Sequence, residues 1–330
     1  MTTPLRLIFC GTPQFAVPTL KALHVADYEV ALVVSQPDRP AGRSRQLTAP
    51  PVKLAALAAG LPVAQPESIR DNPEFRAQVE AIAPDAIVVV AYGRLIPPWM
   101  LALPRLGCIN LHASLLPRYR GAAPIQWAVA KGETVSGNTT MLLEEGLDTG
   151  PILLQQALAI APQQTAADLL DVLAVGGAPL VVKTLAGLEN GTIMPRPQNP
   201  AGVSFAPLLT RDDGRMDFAA HTATELKNRW RGFQPWPGAF TALDGKKLIV
   251  HRMEVVDAPG AQESTLAEPV PVQAAPILPG QILVEDHRLL VACSGNTWLE
   301  LVEVQLEGKK RLAAAEFLRG IALAANARLG

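Results

Sequence analysis

The first 190 residues alternate two patterns that together admit few folds. Leu5-Arg6-Leu7-Ile8-Phe9-Cys10, Tyr28 to Ser35 and Asp85 to Ala91 are short, largely apolar runs, and the last holds three consecutive valines. Between them, Gln14 to about Ala26, Val52 to Ala59 and Pro73 to Ile82 read as helices. A strand that is apolar on both faces must be covered on both, and helices returning the chain between such strands lay them parallel. The expected fold class is α/β, a doubly wound and mostly parallel sheet. Ligands of such sheets bind where loops leave the carboxyl ends of strands, here after Cys10, Ser35, Ala91 and Ile109. The first of these loops has Gly11 alone, with no G-x-G-x-x-G and no Walker-type phosphate loop, which counts against a dinucleotide site.

A long Ala/Leu-rich helical stretch, Thr165 to Leu188, leads into a segment rich in Pro and Gly up to Pro207. Beyond it the pattern changes. Thr222 to Trp230 reads as a short helix. Phe240 to Leu243 and Lys247 to His251 flank Asp244-Gly245, a strong hairpin signal. Further strands are expected at Gln281–Val284, Leu289–Cys293 and Trp298–Val304, a succession that fits a small OB-like β-barrel. The expected organisation is a catalytic domain over 1–190, a linker over 191–207 and the barrel domain over 208–330. Ala258 to Pro279 is expected to be a surface loop, and Trp230, Trp236 and Phe240 core residues of the barrel.

Composition narrows the function classes. With 49% hydrophobic and 18% charged residues the chain has ample material for packed cores. Lys and Arg number 29 against 30 Asp and Glu, so a strongly basic nucleic-acid binder is excluded, though a local basic patch is not. Aromatics, at 5%, are too few for a base-stacking platform. No uninterrupted apolar run approaches the roughly 18 residues of a membrane span, so no membrane partner is expected. Cys10, Cys108 and Cys293 are far apart, and the five histidines are scattered. No metal site is expected, and an odd number of cysteines favours reduced thiols in a cytoplasmic protein. Without a coiled-coil pattern or large apolar tail, the expectation is a monomer.

The most unusual stretch is Gly107-Cys108-Ile109-Asn110-Leu111-His112-Ala113-Ser114-Leu115-Leu116-Pro117. Two positions apart on an extended chain, Asn110 and His112 project on the same side. Further on, Glu144 to Gly150 forms a glycine-punctuated turn that carries Asp148. Asn and His donors suit a developing oxyanion, and a carboxylate orients the imidazole, so the set suits acyl-type transfer. Bland roles also fit these residues: a His beside a strand as a satisfied structural group, an Asp before Thr-Gly as a turn former. No nucleophilic Ser or Cys elbow accompanies them, so direct attack by an amine is the simpler scheme.

Asn110 to Pro117, followed by Tyr119-Arg120-Gly121-Ala122-Ala123-Pro124-Ile125-Gln126, resembles the core of the folate-dependent formyltransferases, and Gly146-Leu147-Asp148-Thr149-Gly150-Pro151 matches that family's second motif. Gln36-Pro37-Asp38-Arg39-Pro40-Ala41-Gly42-Arg43, Asp213 to Phe218 and Gln234 to Ala239 narrow the resemblance to members that act on charged initiator tRNA. It runs from about Leu5 to Leu318. It implies a Rossmann-like catalytic domain, 10-formyltetrahydrofolate as donor without a metal, and initiator methionyl-tRNA as acceptor. Asn110 and His112 would then bind the formyl oxygen, with Asp148 keeping His112 charged and moving the amine's proton. Ser114, Leu115, Leu116 and Pro117, with Val90, Ala91, Tyr92 and Gly93, would line the folate site. Arg39, Arg43 and Arg45 would enter the acceptor stem, with Lys246 and Lys247 as further tRNA contacts. Departures are Leu208, where relatives often carry a basic residue, Asn138 in place of a β-branched apolar one, and a longer Ala258–Pro279 insertion. A sugar-nucleotide N-formyltransferase, a formyltetrahydrofolate hydrolase and a non-catalytic RNA-binding protein remain as alternatives.

Overall fold

The computed structural model describes residues 4–41, 46–259, 277–324 and 326–330, arranged as two compact units. The first comprises Met1–Ile125, Thr134–Ala161 and Asp168–Leu208, and the second Gln126–Glu133, Pro162–Ala167 and Leu209–Gly330.

The chain opens with β1 (Arg6–Gly11) and enters α1 (Val17–Val25) through the 3-10 turn Gln14–Ala16. Pro18 falls in the first turn of α1, where the missing N–H has no partner to lose. There follow β2 (Glu29–Val34), the small antiparallel pair β3 (Arg39–Ala41) and β4 (Gln46–Thr48), α2 (Pro51–Ala58), β5 (Val63–Ala64) and α3 (Pro73–Ile82). Asn72 caps α3 by accepting from the Phe75 N–H at 3.0 Å. Then come β6 (Ala86–Val90), the one-turn α4 (Pro98–Leu101), β7 (Cys108–His112), α5 (Pro124–Ala130), β8 (Val135–Leu142), β9 (Ile152–Ala159) and the long α6 (Ala166–Glu189).

The first unit is built on a seven-stranded sheet of order β5-β2-β1-β6-β7-β8-β9. Its first five strands are parallel, and β8 and β9 run antiparallel at one edge. All five residues of β6 are buried, as the unbroken apolar run predicts. Strand order reverses between β1 and β6, the switch point at which doubly wound sheets open a crevice. The antiparallel edge was not visible as a strand pattern because β8 is polar in its middle. Its buried groups find specific partners instead. Asn138 donates to the Leu173 carbonyl at 2.9 Å, Thr139 to the Ser114 carbonyl at 2.6 Å, and the Thr140 and Thr184 hydroxyls lie 2.8 Å apart.

By length and composition α6 is apolar enough to cross a membrane, although it holds no uninterrupted apolar run of that length. Asp171 and Lys183 break the run without lowering the average much. In the first unit this helix lies along the sheet: a Cβ added at Gly177 would meet Leu111 at 2.6 Å.

The second unit holds α7 (Ala223–Gly232), then β10 (Phe240–Leu243), β11 (Lys246–Val256), β12 (Ile282–Glu285), β13 (Arg288–Cys293), β14 (Thr297–Leu306), β15 (Leu312–Ala313) and α8 (Ala314–Arg319). Its antiparallel sheet has the order β10-β11-β14-β13-β12, with β15 paired to β14, the partly open form of an OB-like sheet. Leu248, Val250, Met253, Val291, Leu299 and Leu301 fill its core. Trp230 packs against that core, as expected, and Phe240 is half-buried under the Lys247 ammonium, 4.0 Å from the ring centre. Trp236 differs from the expectation. It is 55% exposed, in the turn that leads to β10, where no strand holds it over the core. The expected loop at 258–279 falls largely outside the described residues.

Candidate active site

Side chains alternate across β7, and Leu111 faces α6, so Asn110 and His112 share the opposite face of the sheet. Neighbouring strands hold this segment from both sides, with Asn110 opposite Val89 of β6 and Met141 of β8. The Asn110 amide is half-buried and makes no hydrogen bond among the described residues. A polar group left free at the carboxyl end of a central strand is available to a ligand.

His112 is only 7% exposed, and both ring nitrogens face acceptors. Nε2 lies 2.9 Å from the Tyr119 carbonyl oxygen, which can only accept, so Nε2 carries a proton. Nδ1 faces Asp148 Oδ2 at 3.7 Å, too long for a hydrogen bond but within ion-pair reach. The same Oδ2 accepts the Gly121 N–H at 2.7 Å. One backbone donor thus fixes the carboxylate oxygen that points at the imidazole.

The loops that carry these groups need unusual backbone. Asp148 has φ +50 and Gly121 φ +120. A Cβ at Gly121 would stand 2.6 Å from the Ala206 carbonyl oxygen, and one at Gly150 only 1.8 Å from that of Leu142. Both positions therefore require glycine, because no heavier residue permits the chain to approach so closely.

The two folate-expected segments leave adjacent strands. Val90 to Gly93 continue from β6, and Ser114 to Pro117 from β7, its parallel neighbour. In the first, Ala91 is exposed at φ +46 and Gly93 has φ +84, which presents main chain at the carboxyl end of β6. Tyr92 is buried, and its carbonyl accepts from Thr12 Oγ1 at 3.0 Å and Gln36 Nε2 at 3.2 Å, tying three strand ends together. Burial pushes the Tyr92 phenol up to about 12, with Cys10 adding to the rise and Arg94 opposing it. In the second segment Ser114 donates to the Arg118 carbonyl at 2.7 Å, and Leu116 is buried against Met141 and Ile152. Gln155 donates to the Leu116 carbonyl at 2.9 Å; Leu115 and Pro117 remain half-buried. These residues shape the segment through their backbone and packing.

Of the residues expected to meet tRNA, Arg39 is exposed on the β3–β4 pair, 3.7 Å from Glu67. Arg43 and Arg45 lie outside the described residues. Lys246 and Lys247 open β11 in the second unit, where Lys246 is exposed and Lys247 covers Phe240. Among the described residues no three His, Cys, Asp or Glu side chains gather as a metal site.

Sequence reasoning missed the supporting groups. Tyr119 and Gly121 stood inside a quoted motif but had no assigned role. Ser204, whose hydroxyl accepts the Tyr119 N–H at 2.9 Å, and Gln198, which contacts the Asp148 loop, lie in the segment read as a linker. Pro/Gly-rich composition gives no sign of such contacts.

Comparison with known proteins bears on the family. A family model described as formyl transferase matches residues 5–185, and one described as formyl transferase, C-terminal domain, matches residues 208–322. A methionyl-tRNA formyltransferase of Acidobacterium capsulatum is 61% identical, the alignment covering 99% of this chain and 100% of the relative. Among solved structures, an N-formyltransferase from Helicobacter canadensis, in complex with folinic acid and dTDP-3-aminofucose, shares the fold at TM-score 0.63 and 17% identity, covering 90% of this chain and 98% of that one. HypX from Aquifex aeolicus shares it at TM-score 0.59 and 16% identity; the alignment covers 96% of this chain, which spans about half of that protein's length, 49%. Likeness at such low identity shows the fold alone, whereas 61% identity from end to end shows the family, and the chain belongs to the methionyl-tRNA formyltransferase family.

Proposed function

We propose that this chain transfers the formyl group of 10-formyltetrahydrofolate to the α-amino group of initiator methionyl-tRNA. One observation carries the chemistry: a free Asn110 amide and the His112 ring share one face of β7, with the Asp148 carboxylate 3.7 Å behind the imidazole. As the amine attacks the formyl carbon, negative charge grows on the formyl oxygen. Asn110 Nδ2 and His112 Nδ1 are the donors that meet it. With acceptors at both nitrogens, the ring donates from both only as an imidazolium, and Asp148 supplies the balancing charge. The carbon–nitrogen bond to the amine forms as the bond to the folate N10 breaks. The proton given up by the amine is taken by Asp148 and handed on to N10 as that bond breaks, so Asp148 ends as the carboxylate it began as.

The donor's chemistry fits the residues present. A pterin is flat and carries donors and acceptors along one edge, which suits the main chain at Ala91 and Gly93 and the walls of the 114–117 segment. For tRNA, Arg39, Arg43, Arg45, Lys246 and Lys247 are the candidate phosphate contacts, and binding through them weakens with salt. The function implies a cytoplasmic enzyme, and the sequence, without a coiled-coil pattern or large apolar tail, supports a monomer. Purified protein is given 10-formyltetrahydrofolate with charged initiator tRNA, an amino-sugar nucleotide or water alone, and the product is identified by mass spectrometry. Formylmethionyl-tRNA is expected; formyl-sugar or free formate as the main product would replace this function by one of its alternatives.

A further inference from the structure

The Asp148 loop is held by a residue remote in sequence. Gln198 Nε2 donates to the Asp148 carbonyl at 2.8 Å and to the Gly150 carbonyl at 2.7 Å, gripping the loop on both sides of Thr149. Its Oε1 accepts from Arg120, Nε at 3.1 Å and the second guanidinium nitrogen at 2.8 Å. Arg120 precedes Gly121, whose N–H reaches the Asp148 carboxylate. The hydrogen bonds close a ring: Gln198 to the Asp148 backbone, the Asp148 side chain to Gly121, and through Arg120 back to Gln198. Further contacts bind the same strip of chain. Arg120 N–H donates to the Ser204 carbonyl at 2.9 Å, and Ala206 N–H to that of Arg120 at 2.7 Å.

Asp148 stands at φ +50, the left-handed region that Asp adopts in turns, so its carboxylate is aimed by a loop and not by a regular element. No hydrogen bond holds its carboxylate to His112 directly, so the 3.7 Å separation depends on where the loop is set. An amide is suited to this place because it donates twice and accepts in one plane. A carboxylate keeps the Arg120 contact but opposes two carbonyl oxygens, and a thioether of similar length keeps neither.

We propose that Gln198 is a positioning residue for the formyl transfer, its amide setting the Asp148 carboxylate against the His112 imidazole. This rests on the assignment of Asp148 to the reaction, and the test separates the two. Turnover of Gln198→Glu, Gln198→Met, Asp148→Asn and the Gln198→Met/Asp148→Asn pair is measured with charged initiator tRNA across pH, together with thermal unfolding. Gln198→Met and Gln198→Glu are expected to lower kcat roughly ten- to a hundredfold, the scale of a misplaced reacting group, with KM for 10-formyltetrahydrofolate unchanged. The pH profile of kcat should change shape in both, and Gln198→Met should add little once Asp148 is Asn. Additive losses in the double variant, an unaltered pH profile, or a rise in KM alone would overturn the proposal, as would loss of cooperative unfolding in both single variants. A near-normal rate in Asp148→Asn would instead remove Asp148 from the reaction, and with it the basis for Gln198.

Discussion

Substituting Gly121 by Ala tests how tightly the active-site loops are set. The added Cβ falls 2.6 Å from the Ala206 carbonyl oxygen. Even a close C–H···O contact needs about 3.3 Å, so the two strips of chain must part by roughly 0.7 Å. The Gly121 N–H that holds Asp148 Oδ2 moves with its Cα, and a φ near +120 suits no residue bearing a side chain. A displacement on the order of 1 Å at a reacting group costs up to about a hundredfold in rate, so kcat should fall ten- to a hundredfold. Backbone strain of about 2 kcal/mol should lower Tm by roughly 4–8 °C in a unit of this size. Steady-state kinetics with charged tRNA and circular-dichroism melting read the two effects. A Gly121→Ala enzyme with kcat within about twofold and Tm within about 1 °C of the parent would show that the close approach of 121 and 206 sets nothing of consequence.

Removing the Asn110 amide as Asn110→Ala should cost about 2.7–4 kcal/mol of barrier, a hundred- to a thousandfold in kcat, with a nearly unchanged melting curve, because the amide makes no hydrogen bond among the described residues. Burial pushes the thiols of Cys108 and Cys293 up to about 12 and that of Cys10 higher still. A thiol reagent at pH 8 should therefore react slowly with the native protein and rapidly with all three cysteines after denaturation. Thr222 and Glu225 form a capping box on α7, so Thr222→Ala should destabilise the second unit by about 1 kcal/mol in urea titration. Burial raises the Asp85 carboxyl, but the Arg6 N–H and the Arg105 guanidinium outweigh it and hold it below the usual carboxylate range. The stabilisation is present above the unfolded-state value, about 4, and is lost as pH falls through the lower folded value; the stability gap to Asp85→Asn should be constant at neutral pH and close below about pH 4.

How much of this was legible in the sequence follows from where each interaction is encoded. Apolar runs locate β1, β2 and β6 within a residue or two, because burial on both faces leaves a compositional trace along the strand itself. Pro73 to Ile82 is helical over the span expected, marked by its own cap and proline. In contrast β8 hides its strand character, since Asn138, Thr139 and Thr140 are buried by virtue of partners 14 to 44 residues away along the chain. The same logic divides the site. Asn110 and His112 could be paired from spacing alone, because a strand fixes which residues share a face. Their approach to Asp148 could not, since it depends on a loop conformation and on donors from elsewhere.

The 191–207 segment makes that limit concrete. Proline and glycine announce a chain without regular structure, yet irregular backbone still has donors and acceptors to satisfy. Here it meets them on the start of β9 and on the loops that carry the site: Arg196 exchanges two 2.8 Å hydrogen bonds with Ile152, Gln198 clasps Asp148 and Gly150, and Ser204 and Ala206 pair with Tyr119 and Arg120. The bare α-carbon of Gly121 lets this covering come close, and the Asp148 loop, at positive φ, lies beneath it. A site whose first residues come from a strand and whose last come from a loop needs such a strap, because the strand fixes direction on its own and the loop does not. Geometry at His112 is thus a property of three segments far apart in sequence, and only one of them bears a motif that announces chemistry.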